Sequence, residues 1–313
     1  MEAIEIAASL RTKAFVVSFA FFCLCIDGIS QDSDTGFAKR VTSFLWVPDG
    51  NSLIVNIVKE DKSNRIRPVG RKYFYNFKTD SLTPYKLKES RISYNPNGRN
   101  IAFIRNDSGK INSIYVKDLR TNSEKLLIRD TIHKFGITWS SNGNKIAYNI
   151  EFKKENKTAI EICVYDLITK ETKQITNHFP YFSYQPSWNP KTNQLVYFLE
   201  KGDGHDQIYL TDGNGSFHTN LTNDSTTHNY NPSWINEKTI IYTRAPDDIV
   251  VMNITGKELL KINGTGSTLA KYNDKAGMIA LLNEEKGDLY IYDYKKQKER
   301  LILSNAKLEN FAF

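Results

Sequence analysis

The side chains best suited to chemistry in this 313-residue chain are its five histidines and the tyrosines, carboxylates and glycines beside them. Three histidines fall in polar segments of similar make-up. His178 lies in residues 177–184 with Tyr181, Phe182 and Tyr184, His205 lies in 200–206 beside Asp206, and His228 lies in 223–230, which ends at Tyr230. Imidazole with carboxylate is a donor set for zinc or manganese, so His178, His205 and His228 are the metal candidates. No His-x-x-x-His pair or other tight ligand spacing accompanies them, and neither a bound metal nor a cofactor is expected. Gly202-Asp203-Gly204-His205-Asp206 lacks the alternating carboxylates and closing Glu of a calcium loop. Gly-x-Ser-x-Gly is absent, since Gly213-Asn-Gly-Ser216-Phe has no final glycine. No catalytic residue is assigned.

The elements that carry these residues are read from an internal repeat. An aromatic heads each unit: Trp46, Tyr94, Trp139, Trp188, Trp234 and Tyr272, at separations of 48, 45, 49, 46 and 38 residues. A tight turn and an apolar strand follow, as in Trp46-Val-Pro-Asp-Gly-Asn-Ser-Leu-Ile-Val and Trp139-Ser-Ser-Asn-Gly-Asn-Lys-Ile-Ala-Tyr. Glycine enters the left-handed region that such turns require without steric cost. A second signature closes a later strand with Asp or Asn, at Asp118, Asp166, Asp212, Asn253 and Asp293, with a looser copy at Asn76. Short polar side chains there cap a turn locally. Two signatures at fixed offsets predict four short antiparallel strands per unit, which is one blade of a β-propeller. The expectation is an all-β, six-bladed propeller over residues 31–313, with the six head aromatics packed between blades. Asn310-Phe-Ala-Phe313 either pairs beside Phe44-Leu45-Trp46 to close the ring or frays.

In a propeller the loops joining strand four to the next strand one share a face with those joining strands two and three. That rule places the segments around His178, His205 and His228 on one face near the fourth blade. His178, Tyr181, Phe182, Tyr184, His205, Asp206, His228 and Tyr230 are therefore the expected binding face. Tyr184 and Tyr230 each stand four residues before a Trp. They either form a partner-binding edge or pack between blades to seat the turn.

Composition and the N-terminus set the compartment. Arg11 and Lys13 precede an uncharged run of 13 residues, Ala14 to Ile26, too short for a ~30 Å hydrocarbon core. With Gly28 and Ser30 before Gln31, residues 1–30 read as a cleavable export signal, so no transmembrane segment remains after cleavage. Phe22 and Leu24, in front of Cys23 and Cys25, argue against lipidation. The mature chain carries +8, from 42 − 2 bases against 35 − 3 acids, which suits anionic ligands weakly and, in an exported chain, excludes nucleic acid as the expected partner. Cys163 alone remains, so no intrachain disulfide forms, and its apolar neighbours make it a core residue.

The blade heads Trp-x-Pro-Asp-Gly and the closing apolar-Tyr-apolar-x-Asp strands resemble the WD40-like repeats of the TolB propeller family. Its Leu-Thr-Asn-His…Pro-x-Trp link is matched by Ile175-Thr-Asn-His178 with Pro186-Ser-Trp188, and in part by Leu221-Thr-Asn223 with Pro232-Ser-Trp234. TolB itself carries a sizeable domain ahead of its propeller, whereas only about a dozen residues separate Ser30 from the first blade here. The resemblance implies a periplasmic or secreted, monomeric scaffold that binds an envelope or secreted protein, or an anionic polysaccharide at the surface. The alternative it implies is a metal-assisted lyase on acidic sugars, since oligogalacturonate-lyase relatives use a His-rich metal site on similar blades.

Overall fold

The computed structural model describes residues 37–309 apart from 62–67, 90, 108, 110, 203–204 and 263–265. The expected export signal and the expected closing strand at Asn310–Phe313 lie outside the described residues. The fold is all-β and propeller-like. Among the described residues, twenty-four strands run in six consecutive antiparallel meanders of four, over residues 37–84, 92–130, 133–174, 182–220, 229–262 and 269–303. The third and fourth meanders join into one sheet through a single parallel pairing, Ile160 with Phe182, between β11 (Lys157–Asp166) and β13 (Phe182–Trp188). A short helix, α1 (Asn305–Glu309), follows the last strand.

The repeat signatures become two kinds of turn. Gly50, Gly98 and Gly143 sit at φ of 74°, 72° and 73°, and each N–H donates to the carbonyl three residues earlier, on Val47, Asn95 and Ser140. At the other turn, Oδ1 of Asp118, Asp166, Asp212 and Asp293 each accepts two backbone N–H groups within the next four residues. Asn76 and Asn253 do the same. These bonds hold the four aspartates below the ordinary carboxylate range.

Because both faces of a meander are apolar, each must be covered by a neighbour. Five buried clusters do this, each spanning two successive meanders: second with third, third with fourth, fourth with fifth, fifth with sixth, and sixth with first. Cys163 is buried in one of them, and burial pushes its thiol up to about 12. Head indoles thread three of these seams. Trp139 Nε1 donates to Ser93 O at 3.1 Å and Trp234 Nε1 to Ser187 O at 2.9 Å. Trp46 Nε1 reaches Lys271 O at 2.9 Å, from the first meander to the sixth. The first and sixth meanders are thus joined by the bond that joins internal repeats. Val41 N to Gly287 O at 3.2 Å and Arg40 Nη1 to Glu284 O at 3.0 Å add to this seam. Gly287 has φ 73°, and a Cβ there would lie 2.2 Å from Arg40 Cβ, so only glycine fits.

Trp46→Phe and Trp139→Phe each leave a buried carbonyl without its donor. Each is expected to cost about 1–3 kcal/mol, by urea unfolding. A loss at Trp139 with none at Trp46 would mean that first and sixth meanders do not pack as described.

Candidate binding face

Two latches of identical plan pin the loops that carry the candidate residues. In the third meander, Glu161 is fully buried on β11. Thr176 Oγ1 donates to Glu161 Oε2, His178 N donates to Glu161 Oε1 at 2.6 Å, and Ile162 N donates to Thr176 Oγ1 at 2.8 Å. In the fourth meander, Gln207 takes the place of Glu161. Thr222 Oγ1 donates to Gln207 Oε1 at 2.6 Å, Asp224 N to the same oxygen at 2.8 Å, and Ile208 N to Thr222 Oγ1 at 3.1 Å. The spacing from strand acceptor to threonine to backbone donor is the same in both copies, so the Thr-Asn motifs at 176–177 and 222–223 are anchors for loops rather than contact residues. The sequence does not single out Glu161 and Gln207, because each sits 15 residues upstream of its threonine, inside an apolar strand. The equal offset was the signal.

A second repeated device shapes the innermost strands. Arg91, Gly136, Gln185 and Asn231 each stand three residues before a head aromatic, and all have positive φ, from 51° to 62°. At the last three the strand register shifts as a β-bulge, which re-aims the preceding side chain. Gly136 is glycine for a further reason: a Cβ would lie 2.5 Å from Asn149 Oδ1. Asn149, fully buried, donates from Nδ2 to Ser183 O at 2.7 Å and accepts from Gln185 N at 3.3 Å, tying the third meander to the fourth.

The structure brings some of the expected face residues together and separates others. His205 and His228 are adjacent, with ring centroids 5.5 Å apart, and His228 Nδ1 lies 3.2 Å from Asp206 Oδ2. That partner raises the His228 pKa above its ordinary value, against the effect of burial. His205 Nδ1 is buried with no partner among the described residues. The Tyr230 hydroxyl lies 3.4 Å from Pro246 O. Burial first, then the charges of Glu284, Asp206 and Asp247, push that hydroxyl up to about 12. Glu200 is held neutral up to about pH 7 by burial and by the Asp206 charge, with His228 opposing.

The expected convergence of three histidines does not occur. His178 turns away, Nε2 meeting Tyr197 OH at 2.9 Å, and the same hydroxyl meets His218 Nδ1 at 2.9 Å. The cause is the latch: Glu161 holds the backbone of residue 178 against the third meander. Burial, then His218 and Lys201, push the His178 pKa down to about 4, so its imidazole is neutral at ordinary pH. Among the described residues no three His, Cys, Asp or Glu side chains are grouped to hold a metal, so a site built from His178, His205 and His228 does not fit. Asp203 lies outside the described residues. Tyr184 is buried, stacked at 5.2 Å on Phe198 with Phe182 at 5.9 Å, so it supports the face rather than presenting it. Burial and then Glu200, Glu151 and Asp206 raise its pKa. Tyr181 is exposed. Of the expected residues Tyr181 is exposed, while His205, His228 and Tyr230 are partly exposed, the last two within reach of the Asp206 charge.

An all-β ring of repeated meanders with latched loops on one face defines a propeller, and comparison places it more finely. The description "TolB beta propeller domain" matches residues 101–311. The chain belongs to the TolB β-propeller family. No curated protein matches it by sequence. Among solved structures, oligogalacturonate lyase in complex with manganese superposes with TM-score 0.59 at 12% identity, over 90% of this chain and 85% of that one. The propeller domain of the Trilobed protease from Pyrococcus furiosus, with an open velcro topology, gives 0.56 at 12%, over 89% and 99%. TolB from Acinetobacter baumannii gives 0.52 at 16%, over 85% of this chain but 63% of its own length. At these identities the likeness is one of fold.

Two outcomes follow. Thr176→Val removes two of the three bonds of its latch and leaves Glu161 short of a donor. A loss of about 1–3 kcal/mol is expected, with faster amide exchange in residues 177–183. Unchanged exchange would show that the latch does not hold the loop. The folded chain keeps the Glu200 proton to about pH 7, while the unfolded chain releases it near the ordinary value of 4.5. Folding stability therefore falls as pH rises through that window. Glu200→Gln lacks the fall. It is expected to gain on wild type by roughly 1–2 kcal/mol between pH 4.5 and 7, after allowance for partial exposure, and to run parallel to it above. A constant difference in urea midpoints across pH would contradict this.

Proposed function

We propose that this chain is an exported, monomeric, six-bladed TolB-like propeller that acts without catalysis. It binds an envelope or secreted protein through the face that carries Tyr181, Tyr230, His205 and His228. The observation that carries the reading is the repeated latch: Glu161 and Gln207 fix two neighbouring loops, and a surface set in advance loses less entropy on binding. Amphipathic tyrosines beside polar groups are what hot spots of protein interfaces use. No helix of the described residues is long and apolar enough to cross a membrane. Export rests on the sequence of residues 1–30.

The second reading, a metal-assisted lyase on acidic sugars, is favoured by the likeness to oligogalacturonate lyase over 90% of the chain. It requires a donor set that the separation of His178 from His205 and His228 does not supply.

Cross-linking of the tagged chain to an envelope fraction is expected to recover one or two reproducible proteins. Tyr181→Ala with His228→Ala is expected to weaken the capture about tenfold without shifting the melting temperature. Near one manganese or zinc ion per purified chain, with turnover of an acidic polysaccharide, would overturn the binding reading.

A further inference from the structure

Where the third and fourth meanders meet, three side chains converge on one point. Tyr197, on β14 (Gln194–Glu200), is fully buried. Its hydroxyl lies 2.9 Å from His178 Nε2 and 2.9 Å from His218 Nδ1. His178 comes from the link between the two meanders, and His218 from the turn that leads into β16 (Thr219–Asn220), the fourth meander's last strand. The two imidazoles stand nearly perpendicular, at 81°, with centroids 5.4 Å apart. Both are held from behind. Glu161 fixes the His178 backbone N–H, Tyr209 lies beside the His178 ring at 6.1 Å, and the Ile175 carbonyl accepts from the His218 ring. Imidazoles that bind metals are oriented by such partners.

One partner satisfies a core tyrosine's hydroxyl, and here two imidazoles from separate loops meet the same oxygen. The spacing is that of ligands. Atoms about 2.05 Å from a metal ion and at right angles to each other stand about 2.9 Å apart, which is the value of both nitrogen–oxygen distances. The two nitrogens and the oxygen thus have the spacing of neighbouring corners of a square-planar or tetragonal site. Nitrogen and oxygen donors in that geometry suit copper(II), which also stands highest in divalent affinity. The charges that reach the rings are of opposite sign, Lys201 toward His178 and Asp212 toward His218. The local field therefore does not gather hard cations, and selection rests on affinity for imidazole. His218 is exposed, so this side of the cluster is open to solvent.

We propose that His178 Nε2, His218 Nδ1 and the Tyr197 oxygen form a copper(II) site at the seam of the third and fourth meanders. The imidazoles bind as neutral rings, and the phenol gives up its proton to solvent as its oxygen takes its corner. The site shares only His178 with the three-histidine set that does not fit. It stands whether or not the face around Tyr181 and Tyr230 binds a protein.

The test is titration of the metal-free full chain with copper(II) against glycine as competitor, read by electron paramagnetic resonance and visible absorption. One equivalent is expected to bind with a tetragonal spectrum, coupling to two nitrogens and a phenolate-to-copper absorption band. Tyr197→Phe should lose the band and keep the two-nitrogen coupling. Since Tyr197 is a core residue, His218→Ala, at an exposed position, provides a second arm. It should keep the wild-type melting curve without metal and bind copper about 100-fold more weakly or worse, since loss of an outer-shell partner alone costs 10–100-fold. Equal affinity of wild type and His218→Ala would place the copper on other histidines and overturn the assignment. So would coupling to a single nitrogen, or failure to hold one equivalent against the competitor.

Discussion

Everything on this molecule hangs on the packing of one meander's apolar face against the next. A single four-stranded meander has two apolar faces and cannot cover either by itself, so stability here is a property of seams. The head tryptophans register those seams. An indole supplies a large buried area and one donor, and at Trp139, Trp234 and Trp46 that donor finds a backbone carbonyl in the neighbouring meander's first strand, at Ser93, Ser187 and Lys271, whereas Trp188 Nε1 is buried with no partner among the described residues. Because Trp46 uses the same bond between the first and sixth meanders, the ring closes without a shared strand among the described residues. A mixed cluster of first- and sixth-meander side chains, with Leu308 of the terminal helix, fills the join.

The face with functional potential is a consequence of that ring. Bulges on the innermost strands at Gly136, Gln185 and Asn231 turn the chain at the same place in successive repeats. Glu161 and Gln207 then tie each returning loop to the strand it has left. The result is a surface whose backbone is fixed and whose titratable groups are coupled. Asp206 at once raises His228 and holds Glu200 neutral. The charge of this face therefore changes near neutral pH, while the capping aspartates of the other face stay ionised far below it.

Local chemistry was legible in the sequence and direction was not. The turn glycines and capping aspartates follow from residue type alone, since each acts within a few residues of itself. Four strands per repeat, and the burial of the tryptophans, follow from their regular recurrence. The sequence groups His178 with His205 and His228 because a loop position says nothing of where a ring points. That is decided by Glu161, in a strand 17 residues earlier. Tyr184 is open between edge and interior in the sequence for the same reason, and its aromatic neighbours in three strands place it in the interior. The unlike seam leaves no trace in the sequence: 48 residues separate Trp46 from Tyr94, much as elsewhere, and only the packing reveals that no buried apolar cluster of the described residues bridges the first and second meanders.

The ring is thus a chain of five seams filled by buried apolar clusters and one, between the first and second meanders, without such a cluster among the described residues, and cooperative strength should follow that order. The most direct measurement is native-state hydrogen exchange read by mass spectrometry across the whole chain. Amides of β1 (Phe37–Trp46) and of the sixth meander's first strand, β21 (Leu269–Asn273), should be as protected as those at internal seams. The earliest opening should instead fall at residues 85–89, in the link between the first and second meanders. If β1 and β21 exchange first, while residues 85–89 stay protected, the first and sixth meanders are not joined as described and the account of the ring is wrong.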